Sequence, residues 1–468
     1  MLGYYLMPHP PIVVPEVGKG REEEVINTLN AFKEAGKRVA DLGTETIIII
    51  SPHGTVFRDA VSIITSESIS GDLSQFAASS VKFNYQINTA LVKAIIDKAR
   101  KYQVPVAELN EESAGLYGID ISLDHGVMVP LYFLEKYKKY KLVHLTYGMI
   151  SPLDLVRFGK AIKDAVEETG SKAVFIASGD LSHRLTEDGP YPYTPLGQEF
   201  DKELVSILES GEMTKIFSLD NHLVNEAAEC GLRSLYVLAG AINKSKVATE
   251  LINYEGPLGV GYAVMEFKDE GVGEDLYLKL VRGKIEENER RMNEGNPYTV
   301  LARKNLNKYY DDGTILDLKD VSDKSLLNER KGVFVSLKIN GELRGCIGTI
   351  EPVTDSVAEE IIKNSLSAAL KDPRFSPVTK EELLEIDISV DLLSEPEDTD
   401  FNGLDPKEYG VIVSSGRKRG LLLPNLEGVD TKEKQVEIAR EKAGIDIGED
   451  YTLQRFKVER FKEVEDNE

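Results

Sequence analysis

The chain has 468 residues, with 79 acidic against 56 basic side chains, a net charge of −23 and an isoelectric point near 4.9. That length accommodates two or three domains with substantial cores. So acidic a surface repels phosphate backbones and anionic headgroups, which argues against nucleic-acid and membrane partners. The two cysteines, Cys230 and Cys346, give no disulfide framework and point to a reducing compartment. The opening residues lack the basic stretch of a secretory leader, and no apolar run nears the roughly 20 residues that span a bilayer. A cytoplasmic location is the expectation.

Residues 1–268 alternate strand-like and helix-like stretches, as crossover units do. LGYYLMP (2–8) precedes the helical pattern REEEVINTLNAFKEAGKRVADLG (21–43), which leads into TIIIISPHG (46–54). A half-wet strand would alternate. Four consecutive isoleucines predict a strand buried on both faces, as in a parallel sheet covered by helices. Helical patterns recur at 91–103, 125–140 and 154–170, and strand patterns at 141–148 and 172–180. The expected fold class is α/β, a mostly parallel sheet flanked by helices. GVGYAV (259–264) carries half of a dinucleotide fingerprint, without the third glycine or an opening helix, and predicts no nucleotide site. Walker A, HExxH and GxSxG motifs are absent.

The composition changes after residue 268. DLYLKLVRGKIEENERRMNEG (275–295) is a charged amphipathic pattern ending at Gly295, so 269–295 reads as a helical linker. Residues 296–463 have an α+β rhythm. KGVFVSLKINGELRGCIGTI (331–350) places Asn340-Gly341 between two strand-like runs, the strongest short-range hairpin signal. Residues 355–372 read as a helix and 386–394 alternate. Residues 409–424 read as a second hairpin, with Arg417, Lys418 and Arg419 as solvated residues at its tip.

All six histidines lie in the first half. His9 follows the first strand, His53 the isoleucine strand, and His183 the strand in KAVFIASGD. In a parallel sheet those strand ends share one edge, where α/β proteins bind ligands; imidazoles distant in sequence then converge. His125, opening a helix, reaches the same crevice, and His144, mid-strand, reads as a hydrogen-bonded core residue. Two neutral imidazoles in a crevice suit a divalent transition metal. A third ligand must come from elsewhere. NHLVNEAAECGLRSL (221–235) offers His222, Glu226, Glu229 and Cys230, which could share one helical face. Two histidines and one carboxylate leave positions open for substrate and oxygen, as in non-haem Fe(II) enzymes. Asp180 either orients His183 or caps the next helix.

MPHPP (7–11), SPHG (51–54), LDHGVMVPL (123–131) and SGDLSHR (178–184) resemble, in that order, the class III extradiol ring-cleavage dioxygenase family of LigB type and the related Memo-like proteins. The resemblance covers about residues 1–268 and implies a non-haem iron at the strand ends of an α/β sheet. It implies His9 and His53 as metal ligands, His183 as general acid/base, and His125 as a pocket histidine that orients substrate or oxygen. At the third ligand position the dioxygenases carry a glutamate, and Memo-like relatives carry a cysteine followed by glycine. This chain reads Glu229-Cys230-Gly231 and offers both. Glu229 is favoured, because a carboxylate keeps an Fe(II) site hard and open; a Cys230 thiolate implies a softer metal. Fe(II) is the expected cofactor, with copper or zinc as alternatives. The expected substrate is a catechol-like or other small aromatic molecule, from which His183 takes a proton as it binds.

LRGCIGTI (343–350), ALKDPRFSPVT (369–379) and NPYTVLARKNLNKYYDDG (296–313) resemble the AMMECR family of α+β domains, over about residues 296–463. The resemblance implies a cleft lined by the LRGCIG strand, with Arg344, Gly345 and Cys346 as candidate substrate-binding residues. Its fusion to a Memo-like half is the AmmeMemoRadiSam arrangement, which implies a radical-SAM protein as partner. With no histidine in this half, Cys346 has no internal Cys–His pair. It reads as a structural cysteine, or as a reactive one if Arg344 lowers its pKa. The leading reading is an extradiol-dioxygenase-like oxidoreductase. Its rivals are a Memo-like iron or copper protein without ring cleavage, working with the radical-SAM partner, and a zinc-dependent hydrolase.

Overall fold

The four isoleucines form the middle of the molecule's larger sheet. In the computed structural model, which describes residues 1–426 and 428–464, Ile47–Ile50 lie in β2 (Thr46–Ser51), sealed from solvent on both faces. Each such side chain contributes roughly 1.5–3 kcal/mol by leaving water. The chain divides into two compact units, Met1–Gly283 and Lys284–Glu468, and helix Leu276–Glu294 runs across the division.

The first unit has ten strands: β1 (Gly3–Met7), β2, β3 (Val61–Ile64), β4 (Ser68–Leu73), β5 (Ala78–Gln86), β6 (Val106–Leu109), β7 (Lys141–Thr146), β8 (Ala173–Ser178), β9 (Ser245–Glu255) and β10 (Tyr262–Val272). Eight of them make one sheet in the order β6-β3-β7-β2-β8-β1-β10-β9, and β4 and β5 pair as a separate hairpin. β7, β2, β8 and β1 are mutually parallel, as are β3 and β6. Antiparallel pairs join β3 to β7, β1 to β10 and β10 to β9. Two groups of helices flank the sheet. Ile26–Asp41 packs with His125–Leu134, while Pro152–Thr169 packs with Thr89–Lys101 and Leu232–Ala241. Gly159 and Gly240 let two of these helices touch: a Cβ on either would lie 2.0 Å from a backbone carbonyl of the other helix.

The second unit is α+β. β11 (Gly332–Ile339), β12 (Glu342–Gly348), β13 (Ile386–Leu393) and β18 (Val458–Lys462) form an antiparallel sheet in the order β12-β11-β13-β18. β14 (Glu397–Thr399), β15 (Gly410–Ser415), β16 (Lys418–Leu422) and β17 (Thr452–Phe456) form another, in the order β14-β17-β15-β16. The β11–β12 turn has Asn340 at φ 50° and Gly341 at φ 80°, the pair of left-handed residues that a tight I′ hairpin requires. No helix among the described residues is long and apolar enough to cross a membrane.

Candidate metal centre

Three adjacent parallel strands, β2, β8 and β1, end on one edge of the sheet, and each delivers groups to the same crevice. His9 follows β1 and is 2% exposed. The Ser178 hydroxyl, at the end of β8, donates to the Gly126 carbonyl (2.6 Å) and so accepts from His9 Nδ1 (3.0 Å). This places the His9 proton on Nδ1 and bares the Nε2 lone pair. His53 Nε2 lies 2.9 Å from His9 Nε2, a separation that one proton or one shared cation must bridge. His125, first residue of its helix, stacks on His53 with centroids 4.2 Å apart.

Carboxylates and a thiol close the crevice. Asp180 accepts from the His9 backbone N–H through Oδ1 (2.8 Å) and presents Oδ2 at 3.6 Å from His9 Nε2 and 3.9 Å from His183 Nε2. Cys230 Sγ lies 3.6 Å from His9 Nε2 and 3.9 Å from His183 Nε2, and accepts the Asp180 N–H at 3.3 Å. Asp124 stands behind them. It accepts from Ser51 Oγ (2.5 Å), His144 Nε2 (3.0 Å) and the N–H of Val127, whose helix it caps.

Burial dominates the electrostatics. It pushes His53 down to about 3 and His125 to about 4, with the charge of His9 adding to both, and it lowers His9 as well. The imidazoles are thus neutral ligands at physiological pH. Burial works against the charge of Asp180, yet His9 and His183 hold its carboxyl below the usual range. Asp124, despite its burial, is held at about 2 by His144 and Ser51. Burial and the charge of Asp180 raise the Cys230 thiol well above its ordinary value. Neutral nitrogen donors, buried carboxylates and a thiol that ionises only beside a cation make a donor set that fits a transition metal. Among the described residues, two groups keep their donor atoms within 4.8 Å of one another: His9, His53 and His125, and His9, Asp180 and Cys230.

The structure therefore gathers His9, His53, His125 and His183, and turns Glu229 elsewhere. Glu229 belongs to neither group; its Oε2 accepts the Leu232 N–H at 2.6 Å, at the start of helix Leu232–Ala241. The single helical face expected for His222, Glu226, Glu229 and Cys230 does not form. Helix Asn221–Ala227 stops because Ala228 adopts a left-handed conformation (φ 51°), so Glu229 and Cys230 lie in a tight link and point apart. Glu226 pairs with Arg184 at 2.9 Å. His144 is a buried strand residue bonded to Asp124. His183 stacks on Tyr191 at 5.7 Å. Asp180 faces the ring nitrogens directly; its place in SGDLSH, between a buried strand and a histidine, was the available signal. The direction of the Cys230 side chain had none.

In the second unit Arg344, Gly345 and Cys346 lie on the edge strand β12. A bulge at Arg344 interrupts the register with β11. Arg344 instead grips Glu382 (2.7 and 3.1 Å) and donates to the Ser376 carbonyl. A Cβ at Gly345 would sit 2.2 Å from the Ala368 carbonyl, so only glycine lets helix Val357–Leu370 lie this close. The guanidinium beside Cys346 is Arg374, which donates to its carbonyl (3.3 Å) and pairs with Asp372 (2.6 Å). Asp372 accepts the Cys346 N–H at 2.9 Å. Burial raises the Cys346 thiol, against a hydrogen bond from Ser336. At the second hairpin, Arg417 lies in the turn, while Lys418 and Arg419 open β16 and pair with Glu449 and Glu351.

Comparison with known proteins divides the chain in a similar way. The family model described as the catalytic LigB subunit of aromatic ring-opening dioxygenase matches residues 3–265, and the AMMECR1 model matches residues 299–464. Protein CA_C1420 of Clostridium acetobutylicum is 49% identical over 463 residues, covering 98% of this chain and 99% of that protein. A Thermotoga maritima protein is 46% identical over 170 residues, 36% of this chain and 98% of its own length. Of solved structures, uncharacterized protein PH0010 from Pyrococcus horikoshii is 31% identical, covers 36% of this chain and 90% of its own, and gives a TM-score of 0.33. Uncharacterized protein JW3007 from Escherichia coli K12 is 14% identical, covers 57% of this chain and 100% of its own, and gives 0.41.

Proposed function

Because the chain belongs to the LigB family of aromatic ring-opening dioxygenases, with an AMMECR1 domain behind it, we propose that its N-terminal unit is a one-metal redox centre held by His9, which both donor groups share, together with His53 from one group and Cys230 from the other. The observation that carries this reading is the thiol 3.6 Å from His9 Nε2, while Glu229 is committed to a helix end. A thiolate with two imidazoles suits copper or a soft iron site, in the manner of the Memo-like branch, better than an all-hard iron site. A bound redox metal supplies Lewis acidity and one-electron chemistry toward a small aromatic ligand. The chain's own residues do the rest. Ser178 keeps the His9 lone pair free, His125 walls the pocket against His53, and His183, whose Nε2 lies 3.9 Å from both Asp180 Oδ2 and Cys230 Sγ, moves a proton at the ligand's hydroxyl.

A second reading draws on Asp180 Oδ2, 3.6 Å from His9 Nε2. His9, His53 and Asp180 would give two histidines and one carboxylate, the ligand set of Fe(II) oxygenases, and ring opening would follow. Anaerobic purification with metal quantification separates the two. The thiolate centre requires that Cys230→Ser lose most of its metal while Asp180→Asn and Glu229→Gln keep it. The carboxylate centre requires the reverse for Cys230 and Asp180, with oxygen uptake on a catechol. Full metal content in His9→Ala ends both.

A further inference from the structure

The edge of the large sheet away from the metal centre carries a second constellation of charge. Helix Pro152–Thr169 ends just before β8 begins, so its last turns lie by the starting ends of the parallel strands. β10 runs antiparallel to β1, so Asp269 lies past Tyr4, on the side away from His9. Lys160, Lys163, Asp164 and Glu167 follow the helical spacing that puts side chains on one face, and they line a cavity of about 590 Å³. Tyr102, the Asn243–Ser245 link and Asp269 complete its walls.

Most of these groups are committed to one another. Lys163 Nζ donates to the Asn243 carbonyl (2.5 Å) and to Ser245 Oγ (2.8 Å). Asp164 accepts from the Tyr102 hydroxyl (2.5 Å), and Asp269 from Ser245 Oγ and the Gly271 N–H (both 2.8 Å). Lys244 pairs with Asp275 at 3.3 Å, and Glu167 is exposed to water. Two donors are left over. Lys160 is half-buried, its Nζ over the rings of Tyr277 (4.4 Å) and Tyr102 (5.3 Å), and it forms no ion pair among the described residues. Ring faces attract an ammonium without neutralising it. Burial lowers the Lys160 pKa further than the charges of Asp275 and Asp164 raise it, as for a cation short of a counter-charge. The Tyr4 hydroxyl is fully buried near Ser245 and Asp269 and has no hydrogen-bond partner. Burial, with the charges of Asp269 and Glu167 adding, keeps that phenol protonated. It is a donor without an acceptor, a costly state for a buried group.

We propose that this cavity is a second ligand site, for a small organic carboxylate, with Lys160 as its counter-ion and Tyr4 as a hydrogen-bond donor to it. An ammonium and a hydroxyl with nothing to accept from them call for a negatively charged acceptor. Asp164, Glu167 and Asp269 line the same walls, so a dianion such as phosphate meets more repulsion there than a carboxylate does. The volume holds one small molecule, and Val272 with the Tyr102 ring offers apolar contact to its carbon tail. Because the cavity and the metal centre lie at opposite edges of the sheet, the site stands whether or not the centre is loaded.

The test is fluorine NMR line broadening of trifluorobutyrate by the full chain, with trifluorobutanol as the uncharged control. The acid is expected to bind and the alcohol not. Lys160→Met is expected to weaken binding about tenfold, Lys160→Arg to retain it, and Tyr4→Phe to weaken it about fivefold, the worth of one hydrogen bond. Inorganic phosphate is expected not to displace the probe, and treatment with a chelator not to alter its binding. No broadening by the wild type, equal broadening of the alcohol, or full affinity in Lys160→Met overturns the site. Displacement by phosphate overturns the choice of a carboxylate, and full affinity in Tyr4→Phe overturns the role of Tyr4. Loss of binding on chelation would put the probe at the metal centre and overturn the proposal as a whole.

Discussion

Cys230 and Cys346 sit in the two units under opposite conditions. Around Cys230, neutral imidazoles, a bare Nε2 lone pair and the free oxygen of Asp180 are left facing one another. Around Cys346, the groups satisfy each other. Asp372 and Arg374 take up the backbone N–H and carbonyl that edge strand β12 would otherwise expose, and Arg344 is bound to Glu382. The first arrangement needs something added to be stable; the second is complete and protects a sheet edge from pairing with another chain. Polar residues in a short conspicuous motif are therefore no guide to chemistry until their partners are known.

The sharpest way to break that contrast is to remove one side chain from each. His53→Ala is expected to reduce bound metal from one equivalent to about none, and Cys346→Ser to leave it unchanged, both read by metal quantification after anaerobic purification. Retention of metal by His53→Ala would erase the difference between the units. Buried charge gives the next largest effect. In the second unit Arg303, 0% exposed, holds Glu463 through Nε (2.5 Å) and Nη2 (2.6 Å) and also donates to the Leu383 and Ile386 carbonyls. Arg303→Met leaves the buried Glu463 carboxylate with only Arg291 at 3.8 Å and the Ile388 N–H at 2.8 Å, so denaturant melting of the full chain is expected to show a loss of about 3 kcal/mol in the transition of that unit.

One buried acid of the first unit has no such partner. Asp201, 1% exposed, has neutral donors only: the Ser182 N–H at 2.8 Å and the Tyr254 hydroxyl at 2.7 Å. Burial pushes its carboxyl up to about 7, with the Glu229 charge adding and His183 opposing. Unfolded, the group titrates near 3.8, so the folded state binds the extra proton between those values. Its contribution to stability is complete below pH 4, falls as pH rises toward 7, and is gone above. Asp201→Asn keeps both hydrogen bonds if the Tyr254 hydroxyl turns to accept. It is expected to match wild type at pH 4 and to exceed it by up to about 4 kcal/mol at pH 8. Parallel pH–stability curves for the two proteins would contradict the buried-acid account.

Much of this was legible in residue order. Four isoleucines gave the central strand, because no half-wet strand tolerates them, and Asn340-Gly341 gave its hairpin through the two positive φ angles it permits. Histidines just past buried strands gave the crevice, because parallel strands end together. The reversal of β3 against β7 and the β4–β5 hairpin were not read from residues 61–86, since strand direction depends on pairing partners and not on local pattern. The break at Ala228 was invisible for a different reason. Alanine favours helix, and only the surrounding packing holds it in a left-handed conformation, yet that one residue decides which of Glu229 and Cys230 faces His9.

A pair of serines sharpens the comparison to its smallest effect. Ser178 touches His9 Nδ1 (3.0 Å), and Ser336 donates to Cys346 Sγ (3.2 Å). Ser178→Ala leaves the His9 Nδ1–H without an acceptor in a place water does not reach. The ring can then shift its proton to Nε2, the nitrogen that faces His53. Metal affinity, measured by competition with a chromophoric chelator, is expected to fall about 10–100-fold, with the fold destabilised by only about 1 kcal/mol. Ser336→Ala removes a weak bond to a thiol of the other unit, outside the metal centre, and neither measurement is expected to move beyond about 0.5 kcal/mol. If Ser178→Ala binds metal as tightly as Ser336→Ala, the His9 tautomer is not set by β8, and the centre does not depend on the strand that carries it.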